Sequence, residues 1–276
     1  MKVTQKTTLT GFLLSQGYKK NTIKTLLKYK NVYVDGQVQT HYAFLLEEGQ
    51  NVEIHKTQQE LPFPIIYEDK EIIVIDKPCG LLSEETSIQK EKTAYFIVKN
   101  YLQKKNESIY LVHRLDQYTS GILMFVKNKK LYQTLTHQWN ECVKERGYIA
   151  IVEGKMKQKK GIIQNYLTES KSQNVYITSK TKGKLAITHY KEIKVNKKYT
   201  MLQIHLETGR KNQIRVHLSS LHHPIVGDKK YGAISNPIKR LALHHHHFSF
   251  VHPLTHKNYQ FHCSTPEEFN QLFSKK

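Results

Sequence analysis

The sequence lacks the features that mark membrane-spanning, secreted or disulfide-linked proteins. No stretch approaches the ~18 apolar residues that a transmembrane helix needs. The first residues, MKVTQKTTLTGFLL, contain an apolar run of only about four residues, which is too short for a signal peptide. The three cysteines, Cys79, Cys142 and Cys263, lie far apart and lack the spacing of zinc ligands. We therefore expect a cytoplasmic protein in a reducing compartment.

Acidic residues are also scarce. The 276-residue chain has 23 Asp and Glu against 43 Lys and Arg, which gives a formal net charge of +20. This excess predicts a polyanionic partner, because Lys and Arg displace counterions from a phosphate backbone. A charge that serves only solubility is the alternative, and a membrane surface is disfavoured because no long amphipathic basic helix is visible. The sequence has no glycine-rich phosphate loop and no cysteine–histidine cluster, so it indicates neither cofactor nor metal.

Residues 1–57 predict a small α/β domain. An apolar segment at 9–15 is followed by Asn21, a candidate N-cap, and by apolar residues at helical spacing, Ile23, Leu26 and Leu27. The segment NVYVDGQVQ alternates around Asp35-Gly36, a strong hairpin signal. This order of two helices and a small sheet resembles the alpha-L RNA-binding domain of ribosomal proteins. The resemblance implies RNA contacts by basic residues near the helices, among them Lys24 and Lys28; an ordinary basic subdomain is the alternative.

A polar linker at 55–64 leads to the larger domain, 62–276. Strand patterns recur in IIVI, ILMFV, YIAIV, AITHY and MLQIHL, whereas helical patterns are confined to 93–103 and 129–141. This distribution predicts an α+β fold with a mixed, mainly antiparallel sheet and flanking helices. The run HHHH at 244–247 lies between two predicted strands, LAL and FSFVHP. Adjacent residues on a strand point to opposite faces, so we expect no metal site there.

The most informative segment is HRLDQYTSG, residues 113–121. It places the carboxylate of Asp116 beside the cation Arg114 in a turn-like segment, and the apolar run ILMFV of a predicted buried strand follows directly. A carboxylate in such a place serves as a catalytic group or as half of an ion pair. The basic composition favours catalysis on RNA.

Five segments in this order resemble the RluA-type pseudouridine synthases. They are KPCGLL (77–82), HRLDQYTSGILMFVKN (113–128), KERGYIAIVEGK (144–155), TGRKNQIRVHLSSLHHPIVGDKKYG (208–232) and LALHHHHFSFVHPLTHK (241–257). The resemblance extends from about residue 62 to the C-terminus. It implies that uridine in RNA is isomerised to pseudouridine, with the uracil cut from its ribose, rotated and reattached through carbon 5. Such a reaction needs no cofactor and no metal.

The same resemblance assigns roles to individual residues. Asp116 becomes the catalytic carboxylate, which attacks the sugar, stabilises it or acts as a base. Arg114 enters the stack that the target base has left. Tyr148 stacks on the flipped uracil, Arg215 pairs with Asp116 and holds it ionised, and Leu218 lines the same pocket.

The resemblance also covers the basic loops. The family more often has Thr-His or Ser-His where this chain has Lys211-Asn212, which puts a histidine-specific role in doubt and leaves Arg215 in place. We expect Lys211 to contact RNA. In GDKKYG we predict that Asp228 belongs to a turn whose lysines, Lys229 and Lys230, face phosphate.

Several alternatives remain open at this level. The pair of Asp116 and Arg215 could serve only the fold, and His113 is interpreted as structural. A non-catalytic ribosome-assembly factor would bind RNA unchanged, and a hydrolase would use Asp116 with Glu153 or Glu207. The favoured substrate is large-subunit ribosomal RNA, with transfer RNA as the alternative, and we expect a monomer.

Overall fold

The computed structural model describes residues 1–28, 31–54, 61–86, 89, 91–103 and 106–274. The chain divides into two compact units, Met1–Glu60 and Leu61–Lys276. The predicted linker lies in part on residues 55–60, outside the described residues. Among the helices that are described, none is long and apolar enough to cross a membrane.

The described residues of the small unit form two helices and two small sheets. Its elements are β1 (Thr7–Thr8), α1 (Leu9–Ser15), α2 (Lys20–Lys28), β2 (Val32–Val34), β3 (Gln37–Val38), β4 (Leu45–Leu46) and β5 (Val52–Ile54). β2 pairs with β3 and β5, and β1 pairs with β4, all antiparallel. The hairpin prediction is confirmed: Asp35 and Gly36 join β2 to β3 with φ angles of 49° and 79°, as a two-residue turn of this type requires.

The predicted N-cap of the second helix is wrong. α2 begins at Lys20, so Asn21 lies within its first turn. Ile23 and Leu27 are buried in the core of the unit, while Lys24 and Lys28 are exposed. The helix therefore has one apolar face toward the small sheets and presents its lysines to solvent.

The large unit is built on one extended sheet. Its strands are β6 (Ile65–Glu68), β7 (Ile72–Lys77), β8 (Tyr110–Leu111), β9 (Ser120–Val126), β10 (Val143–Glu153), β11 (Lys160–Glu169), β12 (Val175–Thr178), β13 (Lys184–Val195), β14 (Tyr199–Leu206), β15 (Leu243–Val251) and β16 (Asn258–His262). Its helices are α3 (Ala94–Gln103), α4 (Lys129–His137), α5 (Trp139–Cys142), α6 (Gln213–Ser220) and α7 (Glu267–Gln271), with a 3-10 turn at Lys229–Tyr231.

The sheet confirms the predicted α+β class. Its strand order is β12-β11-β13-β14-β10-β15-β9-β7-β6, with β16 beside β15 and β8 beside β9. Among the described strands, the pairings are antiparallel except that of β15 with β9, which is parallel. β11 and β12 were not predicted from the sequence. The histidine run was predicted to lie between two strands, and this prediction is wrong because the run lies inside β15.

β9 anchors the segment that carries Asp116. All seven of its residues are buried. Leu123 and Phe125 enter the core that also contains the central residues of β10, and Ile122 and Met124 enter a second core on the opposite face. Each fully buried apolar side chain of this size contributes about 1.5–3 kcal/mol to the stability of the fold. β9 therefore fixes the position at which the loop that carries Asp116 ends.

Gly121 allows β9 and β15 to approach each other. Its φ is +108°, and a Cβ atom at this position would overlap the His245 carbonyl oxygen. We expect Gly121→Ala to destabilise the large unit by at least about 2 kcal/mol, because it adds a backbone clash to an unfavourable φ. Urea unfolding would measure the change.

Gly232 supplies the matched control for this prediction. It has a φ of +92°, and a Cβ atom added to it would meet no other atom within 4 Å, so Gly232→Ala has the strained backbone without the clash. The free energy of unfolding should fall clearly less in this variant. Equal losses of unfolding free energy in the two variants would show that the close approach of β9 to β15 at Gly121 does not add to the destabilisation.

The histidines at the start of β15 have structural contacts. His244 Nδ1 lies 2.8 Å from Ser120 Oγ, and His245 Nδ1 lies 2.7 Å from the Ile122 carbonyl oxygen. Burial lowers the pKa of His244 to about 3, so its ring is neutral. These two side chains tie β15 to β9. In the described part of the chain, no group of three His, Cys, Asp or Glu side chains has the arrangement of a metal site.

Candidate active site

A cavity of about 660 Å³ opens where the loop before β9 meets β10, β14 and α6. Asp116, Arg114 and Tyr148, which the sequence analysis singled out, all line it, as does Lys211. The other lining residues include Glu84, His113, Thr119, Trp139, Arg146, Glu169, Gly209, Arg210, Asn212, Ile214 and His245. The large unit thus brings residues from four separate motifs to one cavity.

The loop that carries Asp116 is fixed by hydrogen bonds to its own and neighbouring backbone. Ser83 Oγ accepts from the Leu115 N–H at 3.0 Å and donates to the Leu115 carbonyl at 2.7 Å. The Gly80 N–H donates to the Gln117 carbonyl at 2.9 Å. Because these bonds hold residues on both sides of Asp116, its carboxylate has a defined position before any ligand binds.

Lys77 adds a buried cationic contact to the same loop. Its ammonium group donates to the carbonyl oxygens of Pro78, Leu81 and Gln117, at 3.0, 2.7 and 3.1 Å. Burial lowers the pKa of Lys77 to about 8. The segment KPCGLL therefore supports the loop that carries Asp116 through hydrogen bonds from Lys77 to main-chain oxygens, and it does not line the cavity.

Arg215 forms a longer ion pair with Asp116 and a closer one with Asp228, the residue that the sequence interpretation assigned to a turn. Its Nε and Nη2 donate to the two carboxylate oxygens of Asp228 at 2.7 and 2.8 Å, whereas Nη1 lies 3.5 Å from Asp116 Oδ2. The Asp228 side chain is only 1% exposed, so Asp228 is a buried ion-pair partner and more than a turn residue. Nη1 also donates to Asn212 Oδ1 at 3.0 Å. Arg215 thus faces Asp116 as a preoriented cation.

The electrostatic environment of Asp116 combines opposing effects. Burial raises the pKa of its carboxyl group, the Arg215 guanidinium and Arg114 lower it, and the Asp228 carboxylate raises it; the net shift is upward. The prediction that Arg215 holds Asp116 ionised is therefore only part of the picture. Arg215 limits an increase that burial would otherwise make larger.

This raised pKa gives a testable pH dependence. The folded state holds the Asp116 proton more tightly than the unfolded state, so the ionised carboxylate costs stability at neutral pH and this cost is relieved on acidification. We expect the carboxyl to titrate above pH ~3.9, the ordinary value for aspartate. A ¹³C NMR titration of its carboxyl carbon, assigned with Asp116→Asn, measures the midpoint. A midpoint at or below the ordinary value would contradict this account.

Tyr148 occupies an aromatic wall of the cavity. Its ring stacks on His245, with ring centres 4.4 Å apart and planes 17° apart. His113 stands edge-on to His245 and accepts a hydrogen bond at Nε2 from the Met124 N–H, at 3.1 Å. Burial lowers the pKa of His113 to about 3, so a neutral, structural histidine agrees with the sequence interpretation.

The remaining predicted residues differ in their relation to the cavity. Arg114 and Lys211 lie on its wall and form ion pairs, Arg114 with Glu84 at 2.5 Å and Lys211 with Glu169.

Leu218 is fully buried in the core and does not line the cavity, so the prediction that it does is wrong. Ile214, one helical turn earlier, lines the cavity instead. Lys229 and Lys230 are exposed on the 3-10 turn, and Lys24 and Lys28 belong to the small unit.

Arg146, Arg210 and Trp139 line the cavity but were missed by the sequence analysis. A signal existed for Arg146, because it precedes Tyr148 by two residues on a predicted strand and alternate residues share a face. The carboxylates suggested for a hydrolase lie elsewhere. Glu153 accepts from the Ser235 N–H at 2.6 Å, and Glu207 pairs with His189 at 2.5 Å; neither lines the cavity.

Comparison with known proteins agrees with this geometry. Residues 71–220 match the family model described as RNA pseudouridylate synthase. The chain is 30% identical to an uncharacterized RNA pseudouridine synthase of Aquifex aeolicus, over 93% of this chain and 89% of that protein. It is 31% identical to ribosomal large subunit pseudouridine synthase D of Zymomonas mobilis, over 79% and 74%.

The fold is also found in a solved structure. Human RNA Pseudouridylate Synthase Domain Containing 4 superposes with a TM-score of 0.61 and 21% identity. The match covers 75% of this chain and 90% of the human one. At this identity the likeness establishes a shared fold.

Proposed function

The chain belongs to the RNA pseudouridylate synthase family, in the RluA group, and is an RNA-modifying isomerase; from this premise we propose that Asp116 is its catalytic carboxylate and that large-subunit ribosomal RNA is its substrate. The observation that carries the catalytic assignment is the position of Asp116. Its side chain is 28% exposed, on the wall of the cavity, and faces the anchored cation Arg215.

The reaction rearranges bonds without a net gain or loss of atoms. The bond between ribose C1′ and uracil N1 breaks, the base rotates, and a bond from C1′ to C5 replaces it, while the proton on C5 leaves and N1 gains one. Asp116 acts on the ribose, where a carboxylate can attack or deprotonate an electron-poor sugar. Arg215 offers positive charge beside this carboxylate from a position that Asp228 fixes.

The cavity has room for a base that has left its helix. Extruding a base costs a few kcal/mol, and contacts to the flipped base and to the gap it leaves offset part of this cost. Tyr148, supported from behind by His245, provides an aromatic surface for the uracil. The Arg114 side chain is 66% exposed. Its guanidinium can therefore leave Glu84 and stack between the RNA bases, in the gap that the flipped uridine leaves.

Three observations support ribosomal RNA as the substrate. Relatives that match most of the chain are named large-subunit pseudouridine synthase D. The net charge of +20 suits a large folded RNA. The small N-terminal unit exposes Lys24 and Lys28 on a short helix, and we assign it an RNA-binding role.

A pseudouridine map of the cells that encode this chain tests the substrate. We expect one or a few positions in large-subunit ribosomal RNA to lose pseudouridine when the gene is deleted and to regain it on complementation. Loss at transfer RNA positions alone would replace the substrate assignment. An unchanged map in cells that express the gene would favour an RNA-binding factor without catalysis.

A further inference from the structure

The cationic residues of the cavity fall into two groups. Arg114 and Lys211, which line it, each have a carboxylate partner, namely Glu84 and Glu169. Arg215, which faces Asp116 from outside the lining, is paired with Asp228. Arg146 and Arg210 also line the cavity, yet neither forms an ion pair with any residue in the described parts of the chain. The site therefore contains two guanidinium groups whose charge the protein leaves uncompensated.

The position of Arg146 is well defined despite this missing partner. Its Nη2 donates to the Glu207 carbonyl oxygen at 2.5 Å. A Cβ atom on Gly209 would lie 2.7 Å from its Nη1, so the guanidinium packs directly under the turn that leads to Arg210. Arg210 is held at the same turn, because its Nε donates to the Leu185 carbonyl at 2.9 Å.

Nearby carboxylates are engaged elsewhere. Glu207 pairs with His189 at 2.5 Å, and Glu145 pairs with His247 at 3.1 Å. Burial lowers the pKa of Arg146, and the neighbouring charge of Arg210 acts in the same direction. A half-buried cation next to a second cation is unfavourable in the free protein. An anion that enters the cavity would relieve this cost, since each guanidinium retains donors for charge-assisted hydrogen bonds.

We propose that Arg146 and Arg210 form a subsite for the phosphodiester group that adjoins the target uridine. The inference rests on the proposed function, because it assumes that the flipped base lies against Tyr148. Arg146 and Tyr148 are two residues apart on β10, so their backbone positions are separated by about 7 Å. One ribose spans such a distance between a base and its phosphate. The ion-paired cations Arg114 and Lys211 are left for contacts elsewhere along the RNA.

The protein contains its own reporter for this subsite. Trp139 is its only tryptophan and lines the cavity, so ligands that enter should change its fluorescence. The full chain would be titrated with uridine, uridine 5′-monophosphate and uridine 3′-monophosphate. We expect at least one monophosphate to bind about 10-fold tighter than uridine, as charge-assisted hydrogen bonds predict. The preferred isomer identifies the side on which the phosphate lies.

Variants then test whether Arg146 and Arg210 cause the tighter binding of the monophosphate. Arg146→Gln should reduce the affinity ratio of monophosphate to uridine to about 1–2, and Arg210→Gln should reduce it partly. Arg146→Lys keeps the positive charge, so the ratio of monophosphate affinity to uridine affinity should stay close to that of the wild-type protein. Lys194→Gln removes an exposed charge on β13, outside the cavity lining, and should leave the ratio unchanged. Thermal unfolding of each variant verifies that it is folded.

Two results would overturn the inference. One is equal affinity of the wild-type protein for uridine and both monophosphates, which needs no variant. The other is a monophosphate preference that survives Arg146→Gln and Arg210→Gln together. Neither measurement depends on turnover, so a failure of the proposed function, seen as an unchanged pseudouridine map, is recorded separately from a failure of the phosphate subsite.

Discussion

Asp116→Asn is expected to lower kcat for pseudouridine formation by at least about 1,000-fold while RNA affinity changes little. An amide neither attacks a sugar carbon nor removes a proton from it, and a positioned acid–base or nucleophilic group contributes up to about 10⁴-fold. The substitution is nearly isosteric, and the amide oxygen can still accept from Arg215 Nη1, which lies 3.5 Å from Asp116 Oδ2. Single-turnover kinetics on the mapped RNA, with RNA binding measured in parallel, tests both parts.

Glu267→Gln provides a matched control for this loss of one negative charge. Glu267 is exposed in the first turn of α7 and does not line the cavity, so the rate in this variant should stay within about 2-fold of wild type. An Asp116→Asn enzyme that kept a tenth or more of wild-type kcat would remove Asp116 from the chemistry. Loss of RNA binding with unchanged kcat would assign Asp116 to recognition.

Asp228→Ala is expected to destabilise the large unit by about 3–5 kcal/mol, the usual consequence of leaving a buried charge without its partner. Asp228 makes both short hydrogen bonds to the Arg215 guanidinium, and its side chain is 1% exposed. After the substitution, the 3.5 Å contact with Asp116 and the bond to Asn212 remain for Arg215. Urea denaturation of the purified protein measures the change.

A double variant separates the structural role of this ion pair from its catalytic role. Replacing both partners, as Arg215→Met with Asp228→Leu, removes the unpaired charge and should recover most of the lost stability. Turnover should be lost in the double variant, because the cation beside Asp116 is gone. Recovery of both stability and turnover would show that the Asp116–Arg215 pair serves only the fold.

Features that depend on local residue patterns could be predicted from the sequence. The apolar run after TSG specified β9, and Asp35-Gly36 specified the hairpin because few other residue pairs adopt two successive positive φ angles. Through the family resemblance, HRLD and KERGYIAIVEGK pointed to Asp116, Arg114 and Tyr148, which the structure brings to one cavity. The order and spacing of the motifs identified the resemblance, and the resemblance implied these residues.

Features that depend on tertiary contacts escaped the sequence analysis. β12 is the edge strand of the sheet and β11 is its neighbour, and many positions of both strands are exposed or half-buried and polar, so their apolar alternation is weak. Asp228 sits in a segment rich in turn residues, and no local pattern reveals that its carboxylate faces Arg215 of α6. The family resemblance assigned Leu218 to the cavity, although its position on α6 directs its side chain into the core.

The parallel pairing of β15 with β9 affects the order in which the strands around the cavity can assemble. Ser120 and Gly121 of β9 pair with His244 and His245 of β15, a strand that follows both β9 and β10 by about 90 residues or more along the chain. A nascent chain that has already emerged through Asp116 and Arg215 still lacks the strand that fills the space between β9 and β10, and with it the histidine behind Tyr148. Contacts so distant along the chain form late. The part of the cavity wall that Tyr148 and His245 form is therefore complete only when β15 has joined the sheet between β9 and β10.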